Sequence, residues 1–125
     1  MNKFVTAINC IDGRVQEAVL KKLKEEYKAN YVDMITEPGP NRILSENVDY
    51  NTIESIKSRV NLSINKHASN LIAIIGHYDC ANNLKDKDGQ VLDIIESIKL
   101  INSWNFNVKV IGIWVDHNWV ANHVI

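Results

Sequence analysis

The chain of 125 residues is short of several things, and each shortage narrows the reading. It holds only two cysteines and two prolines, and its charges nearly cancel at net −1. With no basic block and no basic residues interleaved with aromatics, the electrostatic footprint of a nucleic-acid binder is missing. Neither a G-x-G-x-x-G nor a P-loop pattern occurs, so the usual signals for a dinucleotide or a nucleoside triphosphate are absent. No segment approaches the run of about 18 apolar residues that a membrane-spanning helix needs. The opening "MNKFVTAINC" has neither a long apolar core nor a small-residue cleavage site. These absences lead us to expect a cytoplasmic protein with no membrane or nucleic-acid partner and a small-molecule substrate. In a reducing compartment, two cysteines are used for metal binding, catalysis or burial more readily than for a disulfide.

What the sequence does contain is alternating periodicity. "KFVTAIN" (3–9), "YVDMIT" (31–36), "NLIAIIG" (70–76) and "NVKVIGIWV" (107–115) read as four strands, the last two apolar enough to be buried on both faces. Between them, Val15, Val19, Leu23 and Tyr27 recur every four residues. Ile53, Ile56, Val60 and Ile64, then Val91, Ile94, Ile95, Ile98 and Ile101, also recur at helical spacing. The expected fold class is α/β, one domain over residues 1–125, with a mostly parallel four-stranded sheet and helices on its faces. "EPGPN" (37–41) reads as a turn, because its prolines cannot continue a strand or a helix. "NNLKDKDGQ" reads as a solvated loop with Asp88 as a candidate helix cap. Its Asp86, Asp88 and Gly89 lack the downstream ligands of an EF-hand.

In open parallel sheets, ligands bind beyond the carboxyl ends of the strands. There "AINCIDGRV" sets Cys10, Asp12 and Arg14 on alternate positions after the first strand, and "GHYDC" sets His77 and Cys80 three apart after the third. Two thiolates and an imidazole form a soft donor set that selects zinc, one ion per chain. Three protein ligands leave the fourth tetrahedral position open, the mark of a catalytic zinc, where a bound water would have a pKa near about 7. Asp12 would accept a hydrogen bond from that water and Arg14 would hold Asp12 in place. Freed from Arg14, Asp12 could become the fourth ligand and close the site. The same residues also admit plainer readings: two buried thiols, a Cys10–Cys80 disulfide, a helix-start acid with its ion-pair partner, or a non-catalytic zinc or redox-sensing domain.

The pair of motifs C-x-D-x-R (Cys10, Asp12, Arg14) and H-x-x-C (His77, Cys80) resembles the zinc signature of the β-class carbonic anhydrases. Compact carbonic anhydrase-like proteins also carry "DGR" and "TEPGP". The resemblance runs in outline from residue 3 to about 115. It implies that Cys10, His77 and Cys80 bind zinc and that Asp12 and Arg14 form a catalytic dyad. The implied reaction is reversible hydration of carbon dioxide to bicarbonate by zinc-bound hydroxide, making the protein a lyase; carbonyl sulfide and carbon disulfide hydrolysis use the same logic. Gly39 matches a glycine loop lining the family's active site. Gly13 stands where serine is usual and Ala81 where glycine is usual, and only nine residues precede Cys10, so the expected core lacks the family's N-terminal helical arm.

His67 extends the helical apolar stripe and reads as a satisfied, partly buried histidine. The tail "WVDHNWVANHVI", with His117, Trp119 and His123, reads as an edge segment or subunit contact anchored by tryptophan. Three tryptophans and an exposed sheet edge lead us to expect a homodimer or larger homo-oligomer. No role for Asp79 emerges from the sequence.

Overall fold

The computed structural model describes residues 2–125. The four expected strands form close to the expected places: β1 (Phe4–Cys10), β2 (Tyr31–Glu37), β3 (Leu71–His77) and β4 (Lys109–Val115). Strands β1, β2 and β3 each run one residue further than their apolar runs, so Cys10 and His77 are the last residues of β1 and β3 rather than loop residues. A fifth strand, β5 (Ala121–His123), pairs antiparallel with Ile113–Val115 at the sheet edge, which corrects the count of four. Three residues, "ANH", are too short and too polar to carry an alternation signal.

The helices are α1 (Gln16–Glu26), preceded by one 3-10 turn (Gly13–Val15), α2 (Pro40–Glu46), α3 (Tyr50–His67) and α4 (Lys87–Ser103). The short α2 is a second correction. Pro40 occupies the first turn of this helix, where its missing N–H costs nothing, so the "EPGPN" proline starts a helix rather than merely breaking one. The cap of α4 is Asp86, whose carboxylate accepts from the Gly89 N–H at 2.9 Å; Asp88 lies in the first turn instead. Two positions along the chain separate the two aspartates, and both have the right chemistry.

The sheet order is β2-β1-β3-β4-β5, with β1 to β4 parallel. Helix α1 and the 3-10 turn before it cover one face, packing Val15, Val19 and Leu23 on Val5, Ala7, Ala73 and Ile75. Helices α2, α3 and α4 cover the other, where Leu44, Ile56, Val60, Ile94 and Ile101 meet Ile8, Ile72 and Ile74. Because the chain leaves β1 toward β2 and returns on its other side as β3, a crevice opens between the ends of β1 and β3. The register shows the opening directly. Strand β1 stays paired to β2 through Cys10–Glu37, and β3 to β4 through His77–Val115, but the β1–β3 ladder stops at Ile8–Ile74.

Candidate metal centre

Cys10, His77 and Cys80 converge in that crevice. All three are buried, and their ligand atoms lie within 4.8 Å of one another. The two sulfurs are 4.0 Å apart and both thiols are free. A disulfide needs about 2.05 Å, whereas two ligands about 2.3 Å from a tetrahedral ion sit about 3.8 Å apart. The separation therefore suits a shared ion and not a bond.

His77 is oriented by its neighbours. Its Nδ1–H donates to the Tyr78 carbonyl at 2.7 Å, the only role open to a ring nitrogen facing a carbonyl, and this leaves the Nε2 lone pair aimed inward. Among the described residues, that Nε2 is the one buried side-chain nitrogen or oxygen without a hydrogen-bond partner. Buried polar atoms are nearly always satisfied, so an orphan imidazole nitrogen beside two thiols fits a metal ion. Burial alone would lower the pKa of His77; the Cys10 thiolate and the Tyr78 carbonyl outweigh it and raise the value.

The thiols divide one negative charge. The facing Cys80 thiol, His77 and the main-chain N–H groups of Gly39 and Asp12 hold Cys10 down to about 4, against the opposing effect of burial. Cys80, facing that thiolate and buried, is pushed well up. A metal-free cradle thus already carries one thiolate, and loading it must displace the proton of Cys80.

Asp12 leaves the end of β1 and caps the 3-10 turn, accepting from the Arg14 N–H at 2.9 Å. The Arg14 guanidinium grips the same carboxylate with two nitrogens, Nε–Oδ1 at 3.1 Å and Nη2–Oδ2 at 2.7 Å. Hydrogen bonding from Arg14 holds Asp12 at about 2, so it is ionised at any working pH. The alternate spacing of Asp12 and Arg14 thus closes a local fork-on-carboxylate pair beside the thiolate.

Several residues that frame the site carried no readable signal. Gln90 of α4 accepts the His77 N–H at 3.1 Å and the Asn41 side chain at 3.2 Å. Its amide nitrogen donates to the carbonyl of His77 at 2.9 Å and to those of Lys85 and Asn83. One side chain therefore holds both main-chain polar groups of a candidate ligand. Asp93, also buried, accepts from Asn83, Ser45 and Lys85. The buried face of α4 is Gln90, Asp93, Ile94, Ser97 and Ile101, so the expected all-apolar stripe is partly replaced by polar groups that tie down the loop after β3. Gly76 makes room for this: a Cβ there would lie 2.9 Å from Asn41 Nδ2 and 3.0 Å from Gln90 Oε1. Gly39, at φ +60°, has Asn82 backbone 3.1 Å from where a Cβ would stand.

The other singled-out residues lie elsewhere. His67 is more exposed than expected but satisfied, its Nδ1 2.7 Å from Asp33 and its ring stacked on Phe4. His117 and His123 stand apart from the cysteines, edge-on to Tyr78 and Tyr27. The tail is an edge segment, as expected. Asp79 acquires a partner, its Oδ2 accepting from Arg14 Nη1 at 3.2 Å.

Comparison with known proteins agrees with this geometry. A family model described as "Putative carbonic anhydrase" matches residues 1–125. Among solved structures, the chain resembles the β-carbonic anhydrase CafA of the fungal pathogen Aspergillus fumigatus at 12% identity and TM-score 0.60, covering 98% of this chain and 75% of that one. A mutant of the β-carbonic anhydrase CafD of the same filamentous fungus aligns at 11% identity and TM-score 0.56, over 100% of this chain and 90% of that one. No curated protein sequence matches significantly. At such identities the structures show a shared fold, and the family follows from the model that spans every residue: the chain belongs to the carbonic anhydrase-like family and is a carbonic anhydrase-like enzyme.

Proposed function

We propose that the chain hydrates carbon dioxide reversibly to bicarbonate at one zinc ion held by Cys10, His77 and Cys80, with Asp12 and Arg14 as its catalytic pair. The observation that carries the reading is the orphan His77 Nε2 facing two thiols, with a locked carboxylate two residues past one of them. What zinc supplies when bound is acidity, turning water into a nucleophile near neutral pH.

The chain's own residues do the rest. Cys10 arrives as a thiolate, stabilised first by the facing Cys80 thiol, then by His77 and the main-chain N–H groups of Gly39 and Asp12. Gln90 fixes the backbone of His77, so the imidazole enters at one angle. Asp12, permanently ionised, can only accept hydrogen bonds, which orients a water and directs its remaining lone pair at the substrate carbon. Arg14 keeps Asp12 from turning into the cradle as a fourth ligand.

Asp12→Asn tests this division of labour. It should leave zinc content at one per chain and lower carbon dioxide hydration by roughly 10²-fold, the usual scale for a positioned proton-handling group. Unchanged turnover would reduce Asp12 to a helix cap. Running carbonyl sulfide and carbon disulfide beside carbon dioxide identifies the preferred electrophile.

A further inference from the structure

The Asp12–Arg14 pair does not stand alone: Arg14 is itself held from two other parts of the chain. Trp119, in the turn between β4 and β5, lies face-on to the guanidinium, with Arg14 Cζ 4.5 Å from the ring centroid. Asp79, between His77 and Cys80, binds the other side through Oδ2 to Nη1 at 3.2 Å and its carbonyl to Nη2 at 3.2 Å. Both residues adopt left-handed backbone, Trp119 at φ 59° and Asp79 at φ 57°, which non-glycine residues visit seldom. The turn that presents Trp119 is built by Asp116. Its carboxylate accepts from the N–H groups of Asn118 and Val120, and its carbonyl accepts from the Trp119 N–H. The indole also packs against the core cluster containing Cys10, Val15 and Cys80, so it is not free to drift from the cation.

We infer that Trp119 and Asp79 are positioning residues that lock the Arg14 guanidinium onto Asp12 and thereby keep the fourth position of the metal cradle open. The inference rests on the proposed roles of Asp12 and Arg14. Arg14 is about half exposed, and a long exposed side chain gains little from one ion pair after its rotamer entropy is lost. A three-sided grip, by a carboxylate, an aspartate with its carbonyl and an indole face, supplies the missing restraint. With Trp119 removed, the guanidinium regains its freedom, Asp12 is released for part of the time, and its carboxylate competes for the position that an outside ligand would take.

The test uses cobalt(II)-loaded full chain and azide, following the visible absorption of the metal as azide binds. Trp119→Ala should keep one cobalt per chain and weaken azide binding about fivefold, the scale of a partly exposed cation–π contact. Trp119→Phe, which keeps an aromatic face, should restore at least half of the loss. In an Asp12→Asn background, Trp119→Ala should weaken azide no further, because the competing carboxylate is gone. Asp79→Asn, at an exposed side chain that leaves folding intact, should weaken azide about twofold. Azide affinity unchanged in Trp119→Ala and Asp79→Asn, or a Trp119 effect that persists without Asp12, would overturn the inference. Failure of the underlying reading shows separately, as full hydration activity in Asp12→Asn.

Discussion

The two ends of the central sheet each bury a polar cluster, and they treat it in opposite ways. Near the strand beginnings, Thr6 of β1 lies 2.6 Å from Ser63 and 2.7 Å from Ser69; Ser63 donates to Asp33, and His67 meets the same carboxylate. Thr6, Ser63 and Ser69 are fully paired with one another, with Asp33 and with the Leu71 carbonyl. At the strand ends, Cys10, His77 and Cys80 are just as buried, yet His77 Nε2 has no hydrogen-bond partner among the described residues. A satisfied buried cluster stabilises and specifies a core; one that leaves an aimed lone pair unmet is built for something from outside.

The contrast can be broken by mutation. The largest effect is expected at the unsatisfied end. His77→Ala or Cys80→Ser should abolish stoichiometric zinc binding, because two ligands cannot hold an ion that three hold tightly. Metal content by atomic emission would read the loss, and a zinc-retaining His77→Ala would refute the cradle. Acidification should come next. Cys80 is raised, so zinc uptake near pH 8 releases at least its one proton, and affinity falls about tenfold per pH unit for each proton released. As pH drops through the raised value of His77 a second proton joins, and the slope steepens toward about 100-fold per unit. In metal-free protein the sign is reversed for His77. A raised folded value favours the protonated form, so its contribution to stability is complete at low pH and fades as pH rises through that value. Titration calorimetry in two buffers of different ionisation enthalpy counts the protons.

Smaller effects separate support from structure. Gln90→Ala strips partners from His77 N–H and C=O together, and should cost about 1–3 kcal/mol in urea unfolding while lowering zinc affinity. Thr6→Val, at the satisfied end, should cost about 1 kcal/mol and leave zinc affinity unchanged. A Thr6→Val variant that loses zinc would erase the distinction between the two ends.

Much of this was legible in the chain itself. The apolar runs of β3 and β4 and the four-residue repeat of α1 mark elements whose burial is dictated by their own side chains. The motif residues were legible because their chemistry is rare: two cysteines, each beside a second polar signal, in a chain with no others. Gln90, Asp93 and Asn41 were not legible, since a buried amide and an exposed one look alike until the loop that each one ties down is in place. Nor were Asp79 and Trp119, whose meeting with Arg14 depends on β3 and on the turn after β4 reaching the same strand end. Helix α2 and strand β5 escaped because their seven and three residues are too few to show a period.

The most direct test of the account is stopped-flow hydration of carbon dioxide by metal-quantified protein. One zinc per chain together with hydration above the uncatalysed background is the predicted result. Stoichiometric zinc with no hydration at any pH from about 6 to 9, the range in which a zinc-acidified water changes charge, would contradict it and leave the cradle a binding site only.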